Sequence, residues 1–396
     1  MVAAGTLATV VVAGLASLFM AWAIGAGSSG STPFAPAVGA NAISVMRAGF
    51  FVGILGFAGA VLQGANVSEA VGRELIGGVT LSPVAAVVGL TIAAVLVAFG
   101  VFAGYPIATA FTVTGAVIGV GLAMGGDPAW AKYREIGTLW VLTPFVGGGI
   151  AYGTAKTLRD ERVPERVAIP LLAGVVAAIV VNVNFVVLGP AGEAASVAGS
   201  IAGSVADGGL AARVGITVGL ALVAAGALAR DIDADPDAGQ RHFLLVLGGL
   251  VAFSAGGSQV GLAIGPLLPL VSPGSAVVVP LTAVLVFGGV GLLIGSWTGA
   301  PRMIKALSQD YSSLGPRRSI AALIPSFAIA QAAVLFGIPV SFNEIIVSAI
   351  IGSGYAAGGS GVSGRKMLFT VLAWVASLTI AVVAGYVGFL AVDTVI

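Results

Sequence analysis

The sequence predicts an all-α integral membrane protein with about 12 transmembrane segments, arranged as two inverted-topology repeats with broken or re-entrant helical hairpins. Three observations predict this: the composition, an internal repeat and an uneven distribution of basic residues. Of 396 residues, 58% are hydrophobic and 8% charged, and the mean hydropathy is +1.10. A water-soluble fold of this length would need far more charge on its surface. Several uncharged windows of about 20 residues are long enough to cross a bilayer.

The internal repeat joins residues 105–126 to residues 338–359. The first copy reads YPIATAFTVTGAVIGVGLAMGG and the second reads IPVSFNEIIVSAIIGSGYAAGG, with Pro106 matching Pro339 at a constant offset that also matches Gly126 to Gly359. Upstream of each copy lies a Gly/Ser-rich run, 25–31 and 256–261. Self-similarity at one spacing indicates two diverged copies of one unit. Gly- and Pro-broken apolar segments in corresponding positions of two halves are typical of the cargo-binding part of a transporter.

Apolar stretches predict membrane spans near residues 2–24, 45–65, 82–103, 104–126, 137–157, 167–188, 209–229, 243–272, 277–297, 320–336, 337–359 and 367–392. We divide the chain into a first repeat (1–160), linking helices with a cytoplasmic acidic loop (161–242) and a second repeat (243–396). The segment 190–206 is predicted as an interfacial or partly buried helix. The charged loop 230–242 is predicted as a solvated connector, and 298–318 as containing an amphipathic surface helix.

The basic residues predict the orientation in the membrane. If sides alternate along the spans, thirteen of the 17 Lys and Arg residues fall on one side and four on the other. The richer side is expected to be cytoplasmic, which places both termini outside the cell in a multi-pass plasma-membrane protein. Seven predicted crossings separate the first spans of the two copies, so the copies are expected to run in opposite directions.

Four interruptions of apolar helices form the predicted binding site, at Gly25–Pro33, Tyr105–Thr109, Gly256–Gly261 and Gly337–Asn343. A broken helix exposes unpaired N–H groups and a partial positive charge, which suit an anion. Glycine and serine in membrane helices also serve close packing, and this is the alternative for each residue taken singly. The repeated set favours a site for a tetrahedral anion, either phosphate or sulfate, formed by Ser28, Ser29, Ser31, Thr32, Thr109, Ser258, Gln259, Ser341 and Asn343.

Glu344 is the outstanding acidic residue inside an apolar run. A carboxylate at membrane depth indicates a cation ligand or a proton carrier, and the alternative is an interfacial glutamate near a helix start. Glu69, Arg73 and Glu74 are expected to face water, and His242, at a predicted cytoplasmic helix start, is expected to be interfacial rather than catalytic. The chain has no cysteine, and it has no P-loop, zinc motif or Ser–His–Asp order, so an enzyme is not expected. The predicted partners are the anion, phosphate or sulfate, and a coupling Na⁺ or H⁺. The protein is expected to lie in the lipid bilayer and not to bind nucleic acid, and a homodimer is left open.

At these residues the sequence resembles the inorganic phosphate transporter (PiT) family of secondary carriers. The family's hairpin motif resembles GxPVSTTHxxVGAxIGxG, which residues 337–341 and 349–354 follow closely and which 106–121 follow more loosely. AWAIGA (21–26) and LGFAGAVLQGANVSEAV (55–71) resemble the family's first and second helices. Trp140, Pro144, Arg302, Ile304 and Pro316 also lie where the family places them. The resemblance covers nearly the whole chain and implies cation-coupled phosphate uptake.

The chain departs from the family at its signature, which is similar to GANDVANA in both copies. Ser258 and Gln259 stand where Asn and Asp are expected in the second copy, and Gly27 and Ser28 stand there in the first. Both signature carboxylates are therefore missing, and Glu344 replaces a histidine of the hairpin motif. Phosphate at neutral pH retains a proton that needs an acceptor, whereas sulfate needs donors alone. Phosphate transport is the first hypothesis, a sulfate permease the second and a passive anion channel the least favoured.

Overall fold

The structure, a computed structural model, describes residues 4–185, 188–189, 194–205, 208–309, 311, 314–358 and 362–395. Gly359, the last match of the internal repeat, lies outside the described residues. The first half contains α1 (Ala4–Gly27), α2 (Ala35–Gly39), α3 (Val45–Gln63), α4 (Ala65–Arg73), α5 (Pro83–Ala103), α6 (Thr109–Ala123) and α7 (Trp130–Thr157). Then follow α8 (Glu165–Asn182), α9 (Val197–Val205) and α10 (Leu210–Ala234).

The second half repeats the helix order of the first. It contains α11 (Pro236–Ile264), a 3₁₀ turn (Gly265–Leu267), α12 (Leu268–Val271), α13 (Leu281–Thr298), α14 (Ala300–Gln309), α15 (Pro316–Phe336), α16 (Phe342–Tyr355) and α17 (Gly364–Asp393). Thus α1, α3, α4, α5, α6 and α7 correspond in order to α11, α13, α14, α15, α16 and α17. Two short antiparallel pairs join β1 (Ile76–Gly77) to β2 (Asp127–Pro128) and β3 (Asn184–Phe185) to β4 (Ala195–Ser196).

Ten helices in the described residues are long and apolar enough to cross a membrane. They are α1, α3, α5, α7, α8, α10, α11 with its extension to Val271, α13, α15 and α17. The predicted spans at 104–126 and 337–359 instead contain α6 and α16, helices of 15 and 14 residues. At 1.5 Å per residue each is roughly 22 Å long, shorter than the ~30 Å hydrocarbon core. The predicted all-α membrane fold is confirmed, whereas the count of 12 spans is not.

Helices α5 and α6, and likewise α15 and α16, form two hairpins whose tips are not helical. We call residues 104–108 tip one and residues 337–341 tip two. Gly104 and Gly337 begin the tips in the left-handed region, with φ of 73° and 63°, which a residue with a Cβ rarely adopts. Pro106 and Pro339 then keep the chain extended. The interruptions predicted at Tyr105–Thr109 and Gly337–Asn343 are therefore present.

The interruption predicted at Gly256–Gly261 is absent, because α11 continues through it as far as Ile264. The glycines instead allow close helix packing. A Cβ at Gly256 would collide with the backbone of Gly56 in α3, and one at Gly261 with the backbone of Val67 and Ser68. Close packing of small residues is the common alternative use of glycine in membrane helices, and it applies here.

The acidic segment 230–242 is not a loop. Helix α10 continues to Ala234 and α11 begins at Pro236, with the extended residue Asp235 between them. The Asp235 side chain accepts hydrogen bonds from the N–H groups of Asp237 and Ala238 and so caps α11. The predicted amphipathic helix within 298–318 is present as α14. For segment 190–206, the described part contains α9, in which Ala198 and Ala202 are buried.

Glycine contacts fix the relative directions of four core helices. Helices α1 and α13 run in the same direction, α3 and α11 also run together, and α3 and α13 run in opposite directions. Helix α11 therefore runs opposite to its counterpart α1. The contacts that define these directions are Gly14–Phe287 and Trp22–Gly295, Gly56–Ala252 and Gly64–Val260, and Gly49–Ser296 and Phe57–Gly289.

The two hairpins are held by reciprocal contacts with the opposite half. Trp140 of α7 donates its indole N–H to the carbonyl of Pro339 in tip two at 2.9 Å. Trp374 of α17, the counterpart of Trp140, donates to the carbonyl of Pro106 in tip one at 2.7 Å. Each half therefore positions the hairpin tip of the other half.

Candidate functional site

The candidate site lies where the two hairpin tips meet the end of α1 and the C-terminal part of α11. Helix α1 ends at Gly27, and a series of turns continues to Phe34 before α2 begins. Helices α6 and α16 both begin at the site, at Thr109 and Phe342. All nine predicted anion-binding residues are buried, and none has more than 2% of its surface exposed. The fold therefore encloses the predicted residues.

Gln259 is the centre of the hydrogen bonds in this site. Its Oε1 accepts from the Thr109 hydroxyl at 2.8 Å and from the Ser28 hydroxyl at 3.1 Å. Its Nε2 donates to the carbonyl of Val340 in tip two at 2.6 Å. The Thr109 and Ser28 hydroxyl oxygens are 3.4 Å apart. The Gln259 side chain thus connects α11 to the turn after α1, to the start of α6 and to tip two.

Asn343 makes a second connection between the halves. Its Nδ2 donates to the carbonyl of Gly27 at the end of α1, at 2.9 Å, and to that of Ile107 in tip one, at 2.7 Å. The first turn of α16 is thereby joined to the first half of the chain. Ser341 caps α16 by accepting from the N–H of Glu344 at 3.5 Å.

Three buried side-chain oxygen atoms in this region have no hydrogen-bond partner: Oγ of Ser258, Oδ1 of Asn343 and Oε2 of Glu344. Leaving a buried polar atom unpaired costs about 1–3 kcal/mol, so such atoms need an explanation. Ser258 is the neighbour of Gln259 in α11, and Asn343 and Glu344 lie in the first turn of α16. A polar ligand or ion bound here would supply the missing partners.

The remaining predicted residues stabilise the turn after α1. The hydroxyls of Ser31 and Thr32 both donate to the carbonyl of Ser28, at 3.2 and 3.0 Å. Ser29 is buried beside them, and among the described hydrogen bonds none joins its side chain to Gln259 or Asn343. These three residues therefore shape the backbone around Ser28.

Glu344 lies between the hydrogen-bonded residues and a large apolar cavity. The cavity has a volume of about 810 Å³, lies between α7, α16 and α17, and is lined by Trp140, Trp374 and Phe111 as well as Glu344. Phe111 occupies the position in α6 that corresponds to Glu344 in α16, and its ring stacks on Trp140 with centroids 3.9 Å apart. The carboxylate is thus present in only one half.

The other charged groups noted in the sequence lie away from the site. His242 contacts Asp231 at 2.7 Å, and both side chains are exposed. Glu69 and Arg73 form an exposed ion pair. In the part of the chain that the structure describes, no group of three or more His, Cys, Asp or Glu residues could hold a metal ion. The side chains of Glu69, Arg73 and His242 are therefore exposed and do not belong to the buried candidate site.

The sequence did not predict two features near the site: the backbone carbonyls that accept hydrogen bonds and the side-chain contacts of Gln331. The carbonyls of Gly27, Ile107 and Val340 give no residue-type signal, because any residue supplies one. Gln331 donates to Ser254 at 2.6 Å and to Gln63 at 3.3 Å, which extends polar contacts along α11 away from Ser258. The pairing of Trp140 with tip two was also missed, although Trp140 and Trp374 recur at nearly the spacing of the repeat.

Comparisons with known proteins agree with this architecture. A family model described as the phosphate transporter family matches residues 24–385. A Pyrococcus abyssi protein whose name assigns it to the phosphate permeases is 27% identical, over 92% of this chain and 93% of its own. The chloroplastic inorganic phosphate transporter 2-1 of Arabidopsis thaliana is 24% identical, over 92% of this chain and 69% of its own.

A solved structure with the same fold is titled "The sodium-dependent phosphate transporter". Its TM-score is 0.82 at 21% sequence identity, and the match covers 98% of this chain and 100% of that one. The family consists of transporters, so the expectation that this chain is not an enzyme is confirmed. The family match spans most of the chain, and the chain belongs to the phosphate transporter family.

Proposed function

We propose that this protein is a secondary-active transporter that carries inorganic phosphate into the cell with a coupling cation. The observation that carries this proposal is the buried junction of Ser28, Thr109, Gln259 and Asn343, where both halves meet beside unpaired oxygen atoms. A site between two related halves, near the middle of the protein, suits alternating access.

The junction has the chemistry to bind an oxyanion. The N-termini of α6 and α16 both begin there, and their unpaired N–H groups and partial positive charge favour an anion. The hydroxyl of Ser258, which has no partner, is a further donor, whereas the hydroxyls of Ser28 and Thr109 would have to give up their hydrogen bonds to Gln259 to donate to an anion. Phosphate that retains a proton also needs an acceptor, and Glu344, one residue beyond Asn343, is a carboxylate with an unpaired oxygen. This acceptor favours phosphate over sulfate.

Alternating access is supported by the reciprocal contacts of the halves. The opposite directions of α1 and α11 fit an inverted repeat, with the halves at 1–160 and 243–396 and linking helices between them. We place the protein in the plasma membrane with both termini outside, because of the distribution of Lys and Arg. A homodimer is compatible with the exposed apolar faces of α8 and α10 but is not required by the site.

Glu344 is the proposed carrier of the coupling proton or a ligand of coupling Na⁺. Its carboxylate is buried, and the side chains lining the adjacent cavity include no other acid and no base. Asn343 and Ser258 supply two further unpaired oxygen atoms of the kind that hard cations prefer. The similar solved structure is titled a sodium-dependent phosphate transporter. Both signature carboxylates of the family are absent from this chain, so an uptake experiment has to distinguish Na⁺ from H⁺ as the coupling ion.

Uptake of labelled phosphate into proteoliposomes tests these assignments. Ser258→Ala, Gln259→Ala and Ser341→Ala should each weaken uptake, because each removes a donor or a cap at the junction. Glu344→Gln should abolish the dependence on a pH gradient if the ion is H⁺, or on a Na⁺ gradient if the ion is Na⁺. Wild-type transport rates and coupling in all four variants would refute the assignments.

The sulfate permease is separated by competition. Excess sulfate should leave phosphate uptake unchanged if phosphate is the substrate, and should block it if the site is a sulfate site. The passive channel is separated by energetics, because a carrier accumulates phosphate against its gradient only when the ion gradient is present. Accumulation that is independent of any ion gradient would contradict coupled transport.

A further inference from the structure

Three backbone carbonyls at the junction are occupied by side-chain amides. The carbonyl of Gly27 ends α1, and the carbonyls of Ile107 and Val340 belong to tip one and tip two. The NH₂ group of Asn343 donates to the first two, at 2.9 and 2.7 Å, and the NH₂ group of Gln259 donates to the third at 2.6 Å. Each of these three helix interruptions therefore presents a carbonyl to a neutral amide.

These carbonyls are of the kind that a coupling cation uses. In carriers built from inverted repeats, unwound backbone carbonyls and the C-terminal ends of half-helices coordinate Na⁺. The C-terminal end of a helix also carries a partial negative charge, which attracts a cation. The carbonyl of Gly27 lies at such an end, and the other two lie in non-helical tips. What occupies these oxygen atoms therefore determines whether the junction holds Na⁺.

The amide nitrogen of Asn343 lies between the carbonyls of Gly27 and Ile107. A cation that bridged these two oxygen atoms would need the same place, because it also has to lie within reach of both. The NH₂ group has two hydrogen atoms, which is the number that two carbonyls need. It brings partial positive charge and is attached covalently to α16. Na⁺ could bridge these carbonyls only by displacing it.

The surrounding carbonyls determine which atom of each amide is the nitrogen. With the Asn343 amide turned by 180°, its Oδ1 would face the carbonyls of Gly27 and Ile107, and three acceptors would meet without a hydrogen atom. With the Gln259 amide turned, its Oε1 would face the carbonyl of Val340 in the same way. Both amides therefore present N–H groups to the carbonyls.

Carbonyls in the turn after α1 are also occupied by donors of the chain itself. The carbonyl of Ser28 accepts from the hydroxyls and from the backbone N–H groups of Ser31 and Thr32. The carbonyl of Ile24 accepts from the N–H groups of Ser28 and Ser29, at 2.8 and 3.1 Å. The end of α1 is therefore stabilised by hydrogen bonds within the protein and needs no ion to hold its shape.

The unpaired oxygen atoms at the junction are less favourably placed for a cation. Oδ1 of Asn343 and Oε2 of Glu344 belong to consecutive residues in the first turn of α16. The first turn of a helix carries partial positive charge, which favours an anion and opposes a cation. A phosphate that retains a proton offers these acceptors a donor, and it accepts from the hydroxyl of Ser258. The unpaired atoms therefore suit phosphate better than Na⁺.

We propose that Asn343 and Gln259 take the place of a coupling Na⁺, and that transport by this protein does not use Na⁺. Their NH₂ groups hold the carbonyls of α1, tip one and tip two that Na⁺ would otherwise hold together. The two amides are then the residues that determine ion specificity. This inference rests on the proposed function, because it selects between the two coupling ions allowed there.

The first test measures the Tm of the purified full-length protein in lipid nanodiscs at alkaline pH, while NaCl replaces choline chloride at constant ionic strength. Choline is the reference because it is too large to lie between two carbonyls. In Asn343→Asp a carboxylate faces two carbonyls, and Na⁺ would satisfy all three groups. In Gln259→Glu a carboxylate oxygen faces the carbonyl of Val340. The matched control is Asn184→Asp, which adds the same charge at an exposed position.

We expect the wild type and Asn184→Asp to have the same Tm in both salts. Na⁺ should raise the Tm of Asn343→Asp by about 2 °C or more once its concentration exceeds the Kd about tenfold. Gln259→Glu should respond in the same direction, and it serves if Asn343→Asp does not fold. A rise specific to Na⁺ in the wild type would overturn the proposal. A Tm that ignores Na⁺ in Asn343→Asp, or in Gln259→Glu where that variant alone folds, would overturn it as well.

The second test measures uptake of labelled phosphate into proteoliposomes, with Na⁺ or choline outside and the same pH gradient. We expect equal initial rates in the two salts. Uptake that requires Na⁺ would overturn this inference and leave phosphate transport intact. A protein that takes up no phosphate in either salt would contradict the proposed function instead. The Tm measurements would still decide the role of the two amides, because they need no transport.

Discussion

At the scale of single residues, Gln259 uses both ends of its amide. Its oxygen accepts from Ser28 and Thr109, and its nitrogen donates to Val340. A carboxylate at this position would accept from the two hydroxyls but could not donate to the carbonyl of tip two. The amide therefore explains how Ser28, Thr109 and the carbonyl of Val340 keep their hydrogen-bond partners although no carboxylate stands at position 259. It contacts tip two without adding a negative charge, which would repel the proposed anion.

Removing this amide tests its role. Gln259→Ala leaves two hydroxyls and one carbonyl without partners, at about 1 kcal/mol or more each. We expect phosphate uptake to fall at least tenfold, since 1.4 kcal/mol corresponds to a factor of ten. The matched control is Gln240→Ala in the same helix, where the side chain contacts Glu165 near the surface. Equal uptake in the two variants would contradict the central role of Gln259.

Asn343 depends on its NH₂ group, which donates to the carbonyls of Gly27 and Ile107. Asn343→Asp would point a carboxylate at these two carbonyls in a buried site. We expect this variant to lose about 2–5 kcal/mol of stability, or to unfold in detergent, as measured by thermal unfolding. Asn184→Asp, at an exposed position whose side chain makes no hydrogen bond among the described residues, should unfold like the wild type. An unchanged Tm for Asn343→Asp would show that the amide is oriented differently.

At the scale of elements, each hairpin tip is fixed by a tryptophan of the other half. Trp374→Phe keeps the aromatic volume but removes the donor to Pro106, and Trp140→Phe does the same for Pro339. We expect a loss of about 1 kcal/mol each. Hydrogen exchange should rise in tip one for Trp374→Phe and in tip two for Trp140→Phe. The exposed Trp130→Phe should change neither tip. Faster exchange in the same tip for both Trp374→Phe and Trp140→Phe would contradict the reciprocal arrangement.

Close packing of α6 and α16 gives a second prediction for these elements. A Cβ at Gly352 would collide with the backbone of Gly148 in α7, just as one at Gly119 would collide with Val382 in α17. Gly352→Ala should therefore destabilise the protein by about 1–3 kcal/mol in thermal unfolding. Gly153→Ala places the same methyl group in open space on α7 and should be neutral or stabilising. A Gly352→Ala protein as stable as Gly153→Ala would refute the contact.

The elements also show what the sequence predicts and what it does not. The two tips were predictable, because glycine and proline at matched positions of a repeat interrupt a helix locally. The continuity of α11 through Gly256–Gly261 was not, because these glycines pack against the backbones of α3 and α4, and only the fold reveals those partners. In the same way, Ser28 and Thr109 were identified by type, whereas the carbonyls that Asn343 and Gln259 contact carry no signal in the sequence.

At the scale of the whole molecule, polar contacts join connecting segments that are distant in the sequence. In each case, the distribution of Lys and Arg places the joined segments on the same side of the membrane. On the predicted outer side, Lys132 contacts Glu74 and β1 pairs with β2. On the predicted inner side, Glu165 contacts Arg317 and Gln240, which come from three separate segments. Contacts of this kind are expected only if each group of loops lies on one face. They are consistent with an even number of crossings between the paired segments and do not fix the count.

The orientation of the two halves can be tested by labelling, because the chain has no cysteine of its own. Ala131 and Arg365 are exposed residues at the starts of α7 and α17, and they correspond under the repeat. In an inverted repeat a membrane-impermeant maleimide should label Ala131→Cys in intact cells and Arg365→Cys only after permeabilisation. Arg162→Cys, on the predicted inner side, should behave like Arg365→Cys. Labelling of both Ala131→Cys and Arg365→Cys from the same side would require a parallel repeat, in which tip one and tip two would face the same mouth and alternating access through opposed hairpins would fail.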